Sequence, residues 1–345
     1  MELFQRSPKN ILVTGGAGFI GSGFIRFLLS SEAKFSGRCI NYDILTYAGN
    51  LENLSLVDED PRYFFIQGDI CDQKRLEKAC IDHSVDTIIH FAAESHVDRS
   101  ILGPKAFVET NIVGTFHLLE VVRRNPHIHF HHVSTDEVFG SLGESGYFNE
   151  KTPYQPNSPY SASKAASDHL VRSYHHTYGL STCISNCSNN YGPYHYPEKL
   201  IPLMILNCLD RKPLPVYGKG LNVRDWLYVD DHARALYLLL QRGKSGETYN
   251  IGGNSEKRNI DVLHEMIQMI AEIQGVSVEV LTSLITYVKD RPGHDLRYAI
   301  DCTKIKEELG WIPSVTFSEG LQKTIFWYIE NKSWVKNIRL EYVNN

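Results

Sequence analysis

Nothing in the 345-residue chain approaches the roughly 18 consecutive apolar residues of a membrane-spanning helix, so none is expected. Positive charge is in short supply. The 35 Lys and Arg are outnumbered by 40 Asp and Glu, a formal charge of -5, which is the wrong sign for neutralising a phosphate backbone, so nucleic acid is not an expected partner. The seven cysteines are odd in number and scattered at 39, 71, 80, 183, 187, 208 and 302, without a C-x-x-C, so neither a disulfide framework nor zinc is expected. A reducing, cytoplasmic setting follows as the expectation. The opening MELFQRSPKNILVTGG agrees with it, having no apolar leader region and no small-residue cleavage site. There is no internal repeat and no low-complexity segment. Histidines cluster at 127, 129, 131 and 132, but on a strand the first three share one face and the fourth points to the other. No carboxylate or cysteine stands at ligand spacing beside them, so no metal is expected.

What is present is ordinary globular composition, 42% hydrophobic and 22% charged, in a chain long enough for two domains. Short apolar runs at Asn10 to Thr14, Arg38 to Tyr42, Tyr63 to Gln67, Asp86 to Phe91, His127 to Ser134 and Ser181 to Ser185 predict strands. Helical patterns follow from Phe19 and over Asp72 to Asp82, Pro104 to Arg124 and Ser158 to Tyr178. This alternation predicts an α/β fold, a doubly wound parallel sheet of Rossmann type. After about residue 188 the rhythm changes to a proline-containing loop, helices near 198–210 and 230–241 and short strands such as PVYG. The expectation is a cofactor domain over 9–188 that also receives about 222–250, and a smaller mixed α/β substrate domain over 189–335, interleaved with it.

TGGAGFIGS places Gly15-x-x-Gly18-x-x-Gly21 between a predicted strand and a predicted helix. There, backbone N–H groups and a helix N-terminus can approach a pyrophosphate. The spacing alone also fits a plain tight turn. Asp43, 22 positions beyond Gly21 at the end of the second strand, adds a carboxylate suited to ribose hydroxyls and repellent to a 2′-phosphate. NAD is therefore expected in preference to NADP. Asp69 and Ile70 after the third strand are expected near the adenine, and Phe91, Ala92, Ala93 and Ser95 after the fourth along the cofactor's middle.

Tyr160 and Lys164 lie one helical turn apart, so the ammonium can stabilise a phenolate that at pKa near 10 is otherwise a poor base. With the glycine loop some 140 residues upstream, this is the order and spacing of the short-chain dehydrogenases/reductases. A further oddity is HHVSTDEVFG, residues 131–140, where Asp136 and Glu137 adjoin at a strand end. On an extended strand they would face opposite ways; in a turn they can share a target.

The chain resembles the extended short-chain dehydrogenases that act on nucleotide sugars and, more narrowly, the dTDP-glucose 4,6-dehydratase family. The stretches that carry the resemblance include YDILTYAGNLENL (42–54), HFAAESHVDRSI (90–101), HHVSTDEVFG (131–140), SPYSASKAASDHLVRSY (158–174), NCSNNYGPYHYPEKLIP (186–202), PVYGKGLNVRDWLYVDDHARAL (215–236) and DRPGHDLRYAID (290–301). Together they run from about residue 9 to 335. The resemblance implies a lyase with tightly bound NAD regenerated at each turnover. In it Tyr160 takes the C4 hydroxyl proton, Glu137 removes the C5 proton, Asp136 protonates the departing C6 hydroxyl, Thr135 binds the C4 oxygen and Lys164 positions the nicotinamide ribose. It adds Phe19, Ile20, Leu45, Thr46, Thr110 and Asn190 to the cofactor site. Ser95, Asn189, Lys199, Leu200, Pro215, Val216, Tyr217, Arg224, Asn259, Arg291, His294 and Asp295 would surround a nucleotide-sugar substrate, the arginines suiting its diphosphate.

Departures from the family pattern are Phe139, where tyrosine is usual, and Asn254 and Ser255. They bear on substrate affinity more than on chemistry. The resemblance also implies a homodimer paired through Pro104 to Arg124 and Ser158 to Tyr178. Three other accounts remain: a 4-epimerase or decarboxylase, which needs no Asp-Glu pair; a dehydratase for another nucleotide base; and a binding protein on this fold, which predicts a broken catalytic position.

Overall fold

The alternating apolar runs of the first half build one sheet. In the computed structural model, which describes residues 5–344 and side chains as far as residue 338, they are β1 (Asn10–Thr14), β2 (Arg38–Asp43), β3 (Tyr63–Gln67), β4 (Thr87–His90), β5 (His129–Thr135) and β6 (Thr182–Cys187). The later strands are β7 (Asn189–Tyr191), β8 (Leu214–Tyr217), β9 (Val223–Tyr228), β10 (Thr248–Ile251), β11 (Glu256–Arg258) and β12 (Ile285–Val288). A seven-stranded sheet has the order β3-β2-β1-β4-β5-β6-β10, and every neighbouring pair in it is parallel. Ile11, Leu12 and Val13 are fully buried, as a strand covered on both faces requires. On one face Val13 joins Phe24 and Leu28 of the helix Phe19–Leu29 and Leu236 of the helix Val229–Arg242. On the other, Leu12 joins Leu119 and Val122 of Thr115–Arg124 and Val171 of Pro159–Tyr178. This is the doubly wound α/β fold expected from the sequence. Strand order reverses between β1 and β4, so a crevice opens at their carboxyl ends.

A separate core under the second half joins Met204, Trp226, Met266 and Leu321, from the helices Leu200–Leu209, Asn259–Gln274 and Phe317–Glu330 and from β9. Its strands form a three-stranded sheet, β11-β9-β7, and a β12-β8 pair. Between these pieces, β10 returns to the edge of the large sheet beside β6.

Three local features position the site. Ser158 accepts from the Ser161 N–H while Ser161 Oγ accepts from the Ser158 N–H, and with Pro159 in the first turn this reciprocal cap starts the Pro159–Tyr178 helix. β5 extends to Thr135, one residue beyond the expected end, and Asp136–Phe139 then form a single 3-10 turn. The helix expected over Pro104 to Arg124 is interrupted. A turn at Lys105–Phe107 opens into a π-helical segment, Val108–Gly114, before regular helix resumes at Thr115. The cause is Asn111: its amide donates to Glu94 O (3.0 Å) and Ser163 Oγ (2.8 Å) and accepts from Glu94 N (2.9 Å), bonds that hold the wide turn against the crevice.

Candidate active site

The crevice holds a cavity of about 570 Å³. Gly15 enters it with φ +70, and a Cβ there would stand 2.5 Å from Ala92 N. A Cβ on Gly21 would overlap the Gly15 carbonyl oxygen. These two glycines let the loop close against β4 and against the helix it starts. Gly18 caps that helix without any side-chain bond, leaving first-turn N–H groups for a ligand. Asp43 is buried, and its Oδ2 accepts from Ala17 N (2.9 Å) while Oδ1 accepts from Leu45 N (2.8 Å). Burial raises its pKa, and the two backbone bonds oppose that shift. Each oxygen keeps a lone pair for a hydroxyl. A glycine cradle with an oriented carboxylate about 20 residues on fits a dinucleotide.

Of the residues expected at the cofactor, Gly15, Gly18, Phe19, Ile20, Gly21, Asp43, Thr46, Asp69, Ile70, Phe91, Ala92, Ala93, Ser95, Thr110, Tyr160, Lys164 and Asn190 border the cavity. Leu45 does not: at φ 61 its main chain turns its N–H to Asp43 instead.

Below the crevice, Thr135 Oγ1 accepts from Glu137 N (3.3 Å), which closes the 3-10 turn and sends the two acids in different directions. Thr135, Glu137 and Tyr160 border the cavity. Asp136 lies behind them, 2% exposed; its Oδ1 accepts from Thr135 Oγ1 at 3.4 Å and its Oδ2 has no partner. Burial above all, then the charges of Glu137 and Asp225, push its pKa well above the usual carboxylate range. Burial also raises Glu137, but Arg224, Lys199 and Arg291 all pull it down. Burial thus pushes both acids up, strongly at Asp136, while three cations oppose the rise at Glu137.

Tyr160 departs from expectation. Burial and the charge of Glu137 push its pKa up, with only the hydrogen bond to Thr135 opposing. Lys164 Nζ donates to Val133 O at 2.8 Å, and burial lowers the lysine's own pKa. Burial therefore holds the tyrosine as a phenol.

Around the remaining wall, Ser95, Asn189, Lys199, Leu200, Pro215, Val216, Tyr217, Arg224, Asn259 and Arg291 border the cavity. Arg224 lies over the Tyr298 ring at 4.2 Å and donates to Asp295 O at 3.0 Å, so its guanidinium is fixed in place. Arg291 pairs with Asp98 at 3.5 Å, and Lys199 Nζ donates to Ser95 O at 2.9 Å. His294 and Asp295 do not reach the cavity. Asp290 holds His294 at 2.6 Å, and Asn157 and Tyr298 hold the Asp295 carboxylate. Among the described residues, no group of three or more His, Cys, Asp or Glu could hold a metal.

Sequence reasoning passed over Asp168, one more turn along the face that carries Tyr160 and Lys164. It accepts from Ser134 Oγ (2.8 Å) and Tyr154 OH (3.0 Å), stands 3.2 Å from His132 Nε2, and burial moves its pKa up to about 6. The i, i+4, i+8 spacing was the available signal. Asp168 lies behind the cavity wall; Glu94, His96 and Glu198 border the cavity itself and had no such signal, because only the fold brings them there.

The sequence profile of the family described as GDP-mannose 4,6 dehydratase matches residues 12–324. A dTDP-glucose 4,6-dehydratase of Neisseria meningitidis serogroup B is 54% identical, the match covering 96% of each chain. A dTDP-glucose 4,6-dehydratase from Streptomyces venezuelae, solved with NAD bound, superposes with a TM-score of 0.90 at 49% identity, covering 95% of this chain and 99% of that one. A UDP-glucose 4-epimerase from Thermotoga maritima shares the fold at a TM-score of 0.83 and 29% identity, with 94% and 99% covered. The fold is therefore common to dehydratases and epimerases, and it is identity near one half over nearly the full length that separates them. On that ground the chain belongs to the dTDP-glucose 4,6-dehydratase family, within the wider family of nucleotide-sugar dehydratases.

Proposed function

We propose that the protein converts dTDP-glucose to dTDP-4-keto-6-deoxyglucose, a hydro-lyase reaction in three steps at one site: C4 oxidation, loss of water across C5–C6 and C6 reduction. The observation that carries this reading is the placement of two adjacent acids, Asp136 buried behind Thr135 with its Oδ2 unpartnered and Glu137 on the cavity wall with Arg224, Lys199 and Arg291. Elimination needs a base at one carbon and an acid at the next, and an epimerase needs neither. Family membership supports the same activity.

NAD, when bound in the glycine cradle, supplies the acceptor for the C4 hydride and its return to C6. Tyr160 accepts the C4 hydroxyl proton, with Thr135 Oγ1 bonded to the same oxygen. The phenol needs a positive neighbour to become a base, and Lys164 stands one turn along the same helix. The C4 ketone acidifies C5–H, and Glu137 removes that proton and returns it to C5 when C6 is reduced. Asp136 is the proton source for the C6 hydroxyl as water leaves; its carboxyl does not border the cavity, so this step requires it to turn its unpartnered Oδ2 past Thr135. Arg224, held by Tyr298 and Asp295 O, and Arg291 receive the diphosphate. Substrate must displace Asp98 from Arg291 to do so.

The same reading includes a homodimer and a cytoplasmic setting. Support for the first is the exposure of Val108, Val113 and Phe116 along the 108–124 segment. Support for the second is seven free cysteines, six of them buried; among the described residues no helix is long and apolar enough to cross a membrane. Incubation of the purified protein with dTDP-, UDP-, CDP- and GDP-glucose, followed by the alkali-induced absorbance of a 4-keto-6-deoxy sugar, tests the activity. A signal with dTDP-glucose above the others is expected; none with any of the four would refute it.

A further inference from the structure

The cofactor cradle is tied to the far end of the chain. Trp334, in the helix Lys332–Asn344, is 6% exposed, and its indole Nε1 donates to Asn53 Oδ1 at 2.9 Å. Asn53 is 2% exposed and lies in the segment that follows Asp43. Its Nδ2 donates to Ala17 O at 2.9 Å, inside the glycine loop. Ala17 N in turn donates to Asp43 Oδ2 at 2.9 Å. An unbroken line of three hydrogen bonds therefore runs from the indole to the carboxylate that faces the ribose. Trp334 itself does not border the cavity.

Neighbouring groups fix the line from the sides. Arg26 donates to Asn53 O at 2.6 Å and lies over the Tyr194 ring at 4.1 Å. Tyr194 packs on Trp327 at 4.4 Å and meets Trp334 edge-on at 5.9 Å. The indole N–H does one thing that a hydrocarbon ring cannot. It satisfies the only carbonyl of the Asn53 side chain, so the NH₂ end is the one turned to Ala17. Without that donor, a buried amide oxygen is left unpaired and the amide can relieve this only by turning, which takes its N–H away from Ala17.

We infer that Trp334 is a positioning residue for cofactor retention, acting through Asn53 on the Ala17–Asp43 corner of the cradle. This rests on the reading that the cradle holds NAD. The test is NAD affinity, measured by titration calorimetry on protein stripped of nucleotide, for wild type, Trp334→Phe, Asn53→Ala and the double variant. Trp334→Phe keeps a ring in the aromatic cluster and removes the donor. Its NAD affinity is expected to fall about 5- to 20-fold, the effect of one lost buried hydrogen bond, with kcat at saturating NAD close to wild type. Because the effect passes through Asn53, Trp334→Phe should cost nothing further in the Asn53→Ala background. Unchanged NAD affinity in Trp334→Phe overturns the inference, and so do losses that multiply in the double variant. Should Trp334→Phe not fold, Asn53→Ala alone decides: NAD affinity equal to wild type overturns the line of bonds. Wild-type protein that binds no NAD at all would remove the cofactor reading itself, an outcome distinct from a variant that binds it normally.

Discussion

Asp136 and Glu137 are adjacent in the chain and opposite in surroundings: one is sealed behind Thr135 with an unpartnered oxygen, the other faces Arg224, Lys199 and Arg291. Burial outweighs the repulsion between the two acids in raising Asp136, since it is the larger of the two causes. The mutual charge then reinforces that rise, because an ionised Glu137 penalises ionisation of its neighbour.

The base assignment predicts that Glu137→Gln stops C5 deprotonation while leaving C4 oxidation intact. Dehydration should fall by roughly 10²- to 10⁴-fold, the usual weight of a general base. Rapid mixing with substrate should still show the absorbance of reduced nicotinamide, now accumulating instead of decaying. Product formation at the wild-type rate would exclude Glu137 as the base.

For the acid, Asp136→Asn keeps size and removes the transferable proton. Water loss should slow more than C4 oxidation, so solvent deuterium should enter C5 of recovered substrate before product appears. Equal slowing of oxidation and elimination would count against Asp136 as the proton donor.

The parts of this site that were legible from sequence are those set by local spacing. Strands and helices of the first half follow from short apolar runs and helical periodicity, the glycine loop and Asp43 from their position after the first and second strands, and the Tyr160–Lys164 pair from a spacing of four, all of them local features that the fold preserves. Asn111 was invisible for the opposite reason: Pro104 to Arg124 has a good helical pattern, and the interruption at Val108–Gly114 comes from Glu94 and Ser163, 17 and 52 residues away. Strands as short as Asn189–Tyr191 and Glu256–Arg258 carry too few residues for alternation to register. His294 and Asp295 matched a family stretch, but an Asp290 contact and a Tyr298 contact turn them from the cavity.

Gly18 and Gly21 should separate folding from binding. A Cβ on Gly21 meets the Gly15 carbonyl and, at 2.9 Å, Gly16 Cα, so Gly21→Ala should lose about 1–3 kcal/mol of stability together with NAD binding. At Gly18 a Cβ meets only Gly15 O, at 3.3 Å, and Gly18 borders the cavity. Gly18→Ala should therefore unfold within about 0.5 kcal/mol of wild type yet bind NAD at least tenfold more weakly. Urea denaturation and NAD titration on both variants check the contrast; normal NAD affinity in Gly18→Ala would place the pyrophosphate elsewhere.

The clustered histidines contribute a stability that is lost in acid. His129, His131 and His132 on β5 and His90 on β4 are all buried. His131 shares a hydrogen bond with Ser185 Oγ at 2.9 Å, and burial, followed by His132, Arg6 and His232, lowers its pKa to about 3. A group whose folded pKa is lowered binds fewer protons folded than unfolded, so its stabilisation is complete above the unfolded value near 6.5 and is lost as pH falls toward 3. Asp168, raised to about 6, acts the other way: its contribution is present below about 4 and lost as pH rises through 6. Asp43, Asp136 and Glu137 are raised as well and act in the same sense as Asp168, so the imidazole contribution is read from the difference between a histidine variant and wild type. Replacing His131 with glutamine keeps a polar group near Ser185 and removes one titrating site. The loss of unfolding free energy between pH 7 and pH 5 should shrink by about 2 kcal/mol relative to wild type, the linkage expected of a single imidazole kept neutral. Urea midpoints at the two pH values measure this, and an unchanged difference would mean that His131 is protonated in the native state.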